Sequence, residues 1–264
     1  MRKIVAGLYI HMPFCPQHCP YCAFAILTGR RHLYERYVNA VCRELHMRVP
    51  VGLGPLHTVY IGGGTPSMLA LRHLEQILNT VASVAGIAAG AEVTLEANPT
   101  TIEASKFADI RRIGFNRLSL GVQSFSDADL KLLGRFHNAK ECEDAYFRAR
   151  GAGFNNISID LMFSVPGAPQ VHWTHTLEQA LNLAPEHVST YYLMIEEGTR
   201  FATRNREGDL VSVSEAEDEW CYAWTMERLE QAGYEHYEVS NFARQGYRSR
   251  HNWGYWTGME CPRY

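Results

Sequence analysis

The sequence predicts an α/β fold, a single barrel-like parallel sheet, and three observations carry that prediction. Short β-branched runs alternate with helix-length periodic segments, the rhythm of repeated βαβ units. The periodic segments tend to close on glycine or proline, as helix ends do: GFN after Ile113, GAGF after Arg150 and AGY after Gln231. Successive strand ends also carry polar groups, and in parallel α/β folds ligands bind at the carboxyl ends of the strands.

Six strands are expected at 8–11, 58–61, 92–96, 117–122, 157–163 and 187–193. Helices are expected at 33–49, 69–85, 102–113, 139–151, 172–183 and 215–233, with a seventh extended run at 234–241. The stretch 196–214 reads as the longest irregular segment, and no low-complexity linker divides the chain. The first strand runs into a cysteine loop and the second into Gly62-Gly63-Gly64-Thr65-Pro66. The third ends at Glu96-Ala97-Asn98-Pro99, the fourth at Gly121-Val122-Gln123-Ser124, and the fifth carries Asp160. Cys, Gly, Glu, Gln and Asp are thereby directed to one mouth.

A chain of 264 residues that is 46% hydrophobic and 20% charged can bury a sizeable core. The net charge of -3, with an isoelectric point near 6.5, gives no electrostatic reason to expect nucleic acid or a membrane surface as partner. No apolar stretch approaches the ~18 residues of a spanning helix. The first residues show neither a secretory signal nor room for a transit peptide. Seven cysteines, three of them clustered, do not form a disulfide framework and suit a reducing cytosol. Cys42, Cys142 and Cys221 fall in amphipathic stretches and read as buried thiols, whereas Cys261 has no assigned role.

The most informative motif is CPQHCPYC, which places Cys15, Cys19 and Cys22 on one short loop. A [4Fe–4S] cluster normally takes four thiolates, so three leave one iron open to a small ligand. A structural zinc site completed by His11, His18 or a distant residue competes with this reading. Zinc sites usually pair their ligands as two short hooks, and no second hook is evident.

The other motifs are weaker. The triple glycine can be a tight βα turn or a close backbone approach to a ligand, and it matches neither a Walker loop nor a Rossmann fingerprint. Glu96 and Asp160 are strand carboxylates in apolar surroundings and must find donors or a cation. Arg135 can clamp a carboxylate or lie exposed at a helix end. The aromatic cluster His251-Asn252-Trp253-Gly254-Tyr255-Trp256 reads first as a core plug or barrel rim, with a porphyrin pocket as the alternative.

Together the segments YIHMPFCPQHCPYC, GGGTP, EANP, RLSLGVQSF, LGRFH, DLMFSVPG and HNWGYW resemble the radical S-adenosylmethionine (SAM) superfamily over nearly the whole chain. The nearer resemblance is to the branch of oxygen-independent coproporphyrinogen III oxidases and HemW-type heme chaperones. It implies a partial (β/α)6 TIM-like barrel over 1–233 and the start of a C-terminal extension, cut short, over 234–264. Cys15, Cys19 and Cys22 are implied to hold a [4Fe–4S] cluster, with SAM chelating the fourth iron. Tyr9 and Tyr21 match aromatic positions lining that cofactor, and Gly63, Gly64 and Thr65 match the segment meeting its methionine part. Glu96, Gln123, Arg135 and Asp160 match its polar contacts.

Two features separate the members of the branch. The decarboxylating oxidases carry a further cysteine two residues after the third and an N-terminal extension before the first strand. Here that position is Phe24, and the first strand begins almost at once. HNWGYW fits the H-N-x-x-Y-W pattern proposed to bind heme in the chaperones, which makes His251 a candidate heme ligand. The expected function is therefore a cytosolic chaperone that passes heme to an acceptor protein, with an electron donor needed if SAM is cleaved. The alternative is radical decarboxylation of coproporphyrinogen III. Relatives continue beyond this segment, so the chain, ending in MECPRY, is expected to be a fragment or a frameshifted product.

Overall fold

Side-chain alternation along the strands sets the architecture. A computed structural model describes residues 7–49, 54–259 and 261. Six strands, β1 (Gly7–Met12), β4 (Leu56–Gly63), β5 (Ile87–Ala97), β6 (Arg117–Gln123), β7 (Ile157–Phe163) and β8 (His187–Tyr192), pair in parallel in that spatial order. The sheet continues antiparallel through β10 (Asn241–Ala243) to β9 (Glu235–Glu238). Two two-residue strands, β2 (Phe14–Cys15) and β3 (Leu27–Thr28), pair with each other in the cysteine loop.

Apolar residues of the parallel strands, such as Ile10, Ile61, Leu95, Leu118, Ile159 and Val188, join the main core with the helices. The alternate positions Tyr9, Tyr60, Glu96, Arg117, Ser119 and Ser189 line the concave lumen. Strands buried on both faces usually read as continuous apolar runs; these alternate because one face borders a polar lumen. The curled sheet is the expected radical SAM type of half-barrel.

The helices α1 (Tyr34–Arg48), α2 (Leu71–Val84), α6 (Ala139–Gly151), α7 (Gln170–Leu183) and α9 (Glu215–Gln231) lie close to the expected spans. Capping boxes fix two starts, Asn138 with Glu141 and Ser214 with Glu217. The helix expected at 102–113 divides into α3 (Thr101–Ala104) and α4 (Phe107–Arg112). At the break the Ser105 hydroxyl donates to the Ile102 carbonyl, competing with the helical ladder, while Lys106 reaches away to the carbonyl of Ser67. The stretch 196–214 is not wholly irregular, because α8 (Arg200–Arg206) forms within it.

Two further helices, α5 (Asp127–Leu132) and α10 (Arg250–Thr257), were not expected. Like α8, they are too short for a periodic signal, and each starts on a Ser or Thr whose side chain accepts a backbone N–H of the first turn. The backbone N–H groups of Arg250 and His251 donate to the Glu92 carboxylate, each at 3.1 Å. Thr58, the register partner of Glu92, is the third residue of β4, toward the end of that strand away from Gly63. Helix α10 thus caps the lumen at the end opposite the cysteine loop. Cys42, Cys142 and Cys221 are buried, as expected. Among the described residues no helix is long and apolar enough to cross a membrane.

Candidate functional site

The cysteine loop is held at its root by apolar and backbone contacts. Phe14 is buried against the rings of Tyr34 and Tyr37 at 4.4 and 5.3 Å. The triple-glycine segment docks onto the same root, with Gly64 N donating to the Met12 carbonyl and Thr65 N to the Phe14 carbonyl, both at 2.7 Å. A Cβ on Gly64 would stand 2.6 Å from the Phe14 carbonyl oxygen and 3.0 Å from the Cys15 sulfur, so only glycine fits. Gly63 has φ +112, and a Cβ there would strike the His11 ring. These glycines serve close approach to the cysteine loop as well as a turn.

A continuous polar chain then crosses the mouth. The Cys15 sulfur lies 3.5 Å from the Thr65 hydroxyl, which accepts from Asn98 Nδ2 at 3.2 Å. Asn98 Oδ1 accepts from Arg135 Nη2 at 2.5 Å, and the same nitrogen donates to the Gly121 carbonyl at 3.0 Å. Arg135 Nη1 reaches the Tyr21 hydroxyl at 3.4 Å and the Cys19 sulfur at 3.8 Å. Arg135 is therefore a half-buried clamp rather than an exposed helix-end residue. Gln17 donates to the Gly134 carbonyl and Phe201 N to the Pro20 carbonyl, tying the far side of the loop to the barrel.

The carboxylates each have their own donors. Glu96 accepts from the Tyr60 hydroxyl at 2.8 Å and from Gly63 N at 2.9 Å, yet burial pushes its carboxyl up to about 7. Asp160 accepts from the hydroxyls of Ser119 and Ser158, and burial again raises it. Gln123 ends β6 with φ 71, a left-handed conformation uncommon outside glycine, at a register shift between β6 and β7. Its side chain turns back along Gly121 toward Arg135 and Asn98.

The three cysteines are free thiols, half-buried on one loop. Burial raises the Cys15 thiol to about 11 and also raises Cys22, with further increments from the neighbouring cysteines. The donor set suits iron–sulfur ligation in kind, and the thiols feel one another's charge. Among the described residues, however, no three His, Cys, Asp or Glu side chains stand close enough to hold a metal ion. Cluster ligation would require this loop to draw its sulfurs together, with release of thiol protons.

His251 does not join this constellation. It is 2% exposed on α10, with Nδ1 2.8 Å from the Thr58 hydroxyl and Nε2 3.0 Å from the Tyr255 hydroxyl. The Cys261 sulfur is 3.6 Å from the same Nε2. The ring stacks on Tyr60 at 5.1 Å and lies 6.4 Å from the Tyr9 ring. Tyr9 therefore sits within the lumen, between the two ends. Asn98, which joins Thr65 to Arg135, was missed as a site residue. Its signal was present in EANP, a polar amide two residues after a strand carboxylate.

Residues 9–180 match the radical SAM superfamily. The heme chaperone HemW of Synechocystis sp. is 39% identical over 95% of this chain and 62% of its own length. The heme chaperone HemW of Bacillus subtilis is 37% identical over 96% of this chain and 67% of its own. The chain thus spans about two thirds of the length of these curated relatives. Among solved structures, Escherichia coli HemN, a radical SAM coproporphyrinogen III oxidase, aligns with a TM-score of 0.82 at 27% identity. That alignment covers 92% of this chain and 57% of HemN. The chain belongs to the radical SAM superfamily, in the branch that holds the HemW heme chaperones.

Proposed function

We propose that this chain is a cytosolic heme-binding chaperone whose Cys15, Cys19 and Cys22 hold a [4Fe–4S] cluster with exchangeable SAM on the open iron. The observation that supports this best is the unbroken polar chain from Cys15 through Thr65, Asn98 and Arg135 to Cys19. It places amide and guanidinium donors beside the thiols, where an amino acid carboxylate would lie. Glu96 offers an acceptor for an ammonium group, while Tyr21, Gln123, Asp160 and the glycines of 62–64 shape the remaining wall. When bound, the cluster supplies an electron and a coordination site.

Heme enters this reading through α10. Trp253, Tyr255 and Trp256 are 37%, 40% and 58% exposed, an aromatic surface suited to a flat porphyrin. Iron ligation by His251 Nε2 would require its contact with Tyr255 to open. An acceptor protein completes the function, and SAM cleavage, if it occurs, needs an electron donor.

The oxidase reading has HemN as its support and Phe24 against it. This ring, 69% exposed on the cysteine loop, stands where the oxidases carry their further cysteine. Titration of hemin into the protein and into His251→Ala tests the heme assignment. A changed Soret band and weaker binding in the variant are expected; identical spectra and affinities would remove His251. Vinyl formation from coproporphyrinogen III under anaerobic reducing conditions would establish the oxidase instead.

A further inference from the structure

The turns that follow β4 and β5 meet over one buried carboxylate. Glu103, on α3, is 5% exposed, and its Oε2 accepts from the Ser67 hydroxyl and, at 3.0 Å, from the backbone N–H of Asn98. Ser67 is fully buried and stands two residues after Thr65. The Asn98 side chain in turn donates to the Thr65 hydroxyl at 3.2 Å and accepts from Arg135. Three polar groups of Asn98 are therefore committed, its backbone N–H to Glu103 and its side-chain amide to Thr65 and Arg135.

The Lys106 ammonium lies near enough for Glu103 to feel its charge, but it donates to the carbonyls of Ser67 and Leu69 at 2.7 and 3.4 Å. Ser67 is thus held at both its hydroxyl and its carbonyl by side chains of one short segment, 103–106. Burial raises the Glu103 carboxyl above the ordinary carboxylate range in spite of its donors. A buried charge is often no better for stability than a well-packed apolar side chain of similar volume. What this carboxylate adds is a fixed span between the Ser67 turn and the Asn98 turn.

We propose that Glu103 is a positioning residue for the SAM site, its carboxylate setting Asn98 and Thr65 in register with Cys15 and Arg135. The inference rests on the SAM reading above and adds to it a residue that acts through Asn98 and Thr65. Because one oxygen takes both bonds, the length of the side chain matters more than its charge. An amide oxygen at the same place can accept from both donors. A side chain one methylene shorter cannot span to Ser67 and Asn98 together.

The test is SAM affinity by equilibrium dialysis on the reconstituted full chain, for the wild type, Glu103→Gln and Glu103→Asp. Glu103→Gln, uncharged but of equal length, should bind SAM as the wild type does. Glu103→Asp, charged but shorter, should bind about tenfold more weakly, the scale of one lost hydrogen bond to a charged group. Iron and sulfide content and the EPR signal of the reduced, SAM-free cluster should match in all three. Glu103→Asp combined with Asn98→Ala should lose less than the two single losses together, since one acts through the other. If Glu103→Asp does not fold, Ser67→Ala removes one donor from the carboxylate and should weaken SAM binding in the same direction. Weaker binding by Glu103→Gln would make charge the cause and overturn the proposal. Unchanged binding by the shortened or Ser67 variant, iron loss in Glu103→Asp, or fully additive losses with Asn98→Ala would also overturn it. A wild-type protein that carries the cluster but binds no SAM would instead remove the SAM reading, and this role with it.

Discussion

The Arg135 guanidinium stands 3.8 Å from the Cys19 sulfur while its other amino nitrogen holds Asn98. One side chain thus joins the cysteine loop, through Tyr21 and Cys19, to the ends of β5 and β6. Its planar fork makes both contacts at once, which an ammonium cannot reproduce. Arg135→Lys is expected to weaken SAM binding to the reconstituted protein by about 10- to 100-fold, the value of a charge-assisted hydrogen bond. Equilibrium dialysis with labelled SAM measures this, and an unchanged affinity would remove Arg135 from the site.

Glu96 gives a pH dependence of defined sign. Its carboxyl ordinarily titrates near 4.5 and is raised to about 7 in the fold, so folding favours the protonated form. That preference is fully present below about 4.5 and is lost as pH rises through about 7. Glu96→Gln cannot ionise. Urea unfolding of the two proteins at pH 5 and pH 8 should show the wild type losing stability relative to the variant at the higher pH. A constant difference across that range would contradict the burial argument.

Gly64 and Gly151 form a matched pair. A methyl on Gly64 meets the Phe14 carbonyl and the Cys15 sulfur, whereas one on Gly151, at the end of α6, meets nothing within 4 Å. Gly64→Ala should cost about 1–3 kcal/mol through forced backbone shifts and reduce iron incorporation. Gly151→Ala should be neutral or stabilising by up to about 1 kcal/mol. Calorimetry on both variants decides it; equal effects would mean that the close approach at Gly64 is not felt.

Gln123 separates stability from binding. Its left-handed backbone, φ 71, is a conformation that glycine adopts without strain. Gln123→Gly should hold or raise stability by up to about 1 kcal/mol while SAM affinity falls. Loss of stability with unchanged SAM affinity would reverse the assignment and make Gln123 structural.

Much of this organisation was legible because the strands alternate. The polar partners within RLSLGVQ and ISIDLMF marked one face as something other than core, and the strand ends assembled the mouth. The start of β5 was missed because Ile87 is followed by AAGA, four residues without a β-branched side chain, and register with β4 supplies its order. Helix α10 was hidden because eight residues carry too little periodicity; its position depends on Glu92 and Thr58, about 160–190 residues earlier in the chain. For the same reason HNWGYW could be read as an aromatic cluster and a heme-type motif but not placed in the fold. Its place at the closed end of the lumen, away from the cysteines, follows from tertiary contacts.

The central claim concerns Cys15, Cys19 and Cys22, and metal analysis after anaerobic reconstitution tests it most directly. The protein reconstituted with iron and sulfide should contain about four of each per chain. The EPR signal of the reduced cluster should change when SAM is added, and Cys19→Ala should lose the iron. Stoichiometric zinc without sulfide, or full iron retention in Cys19→Ala, would contradict the account.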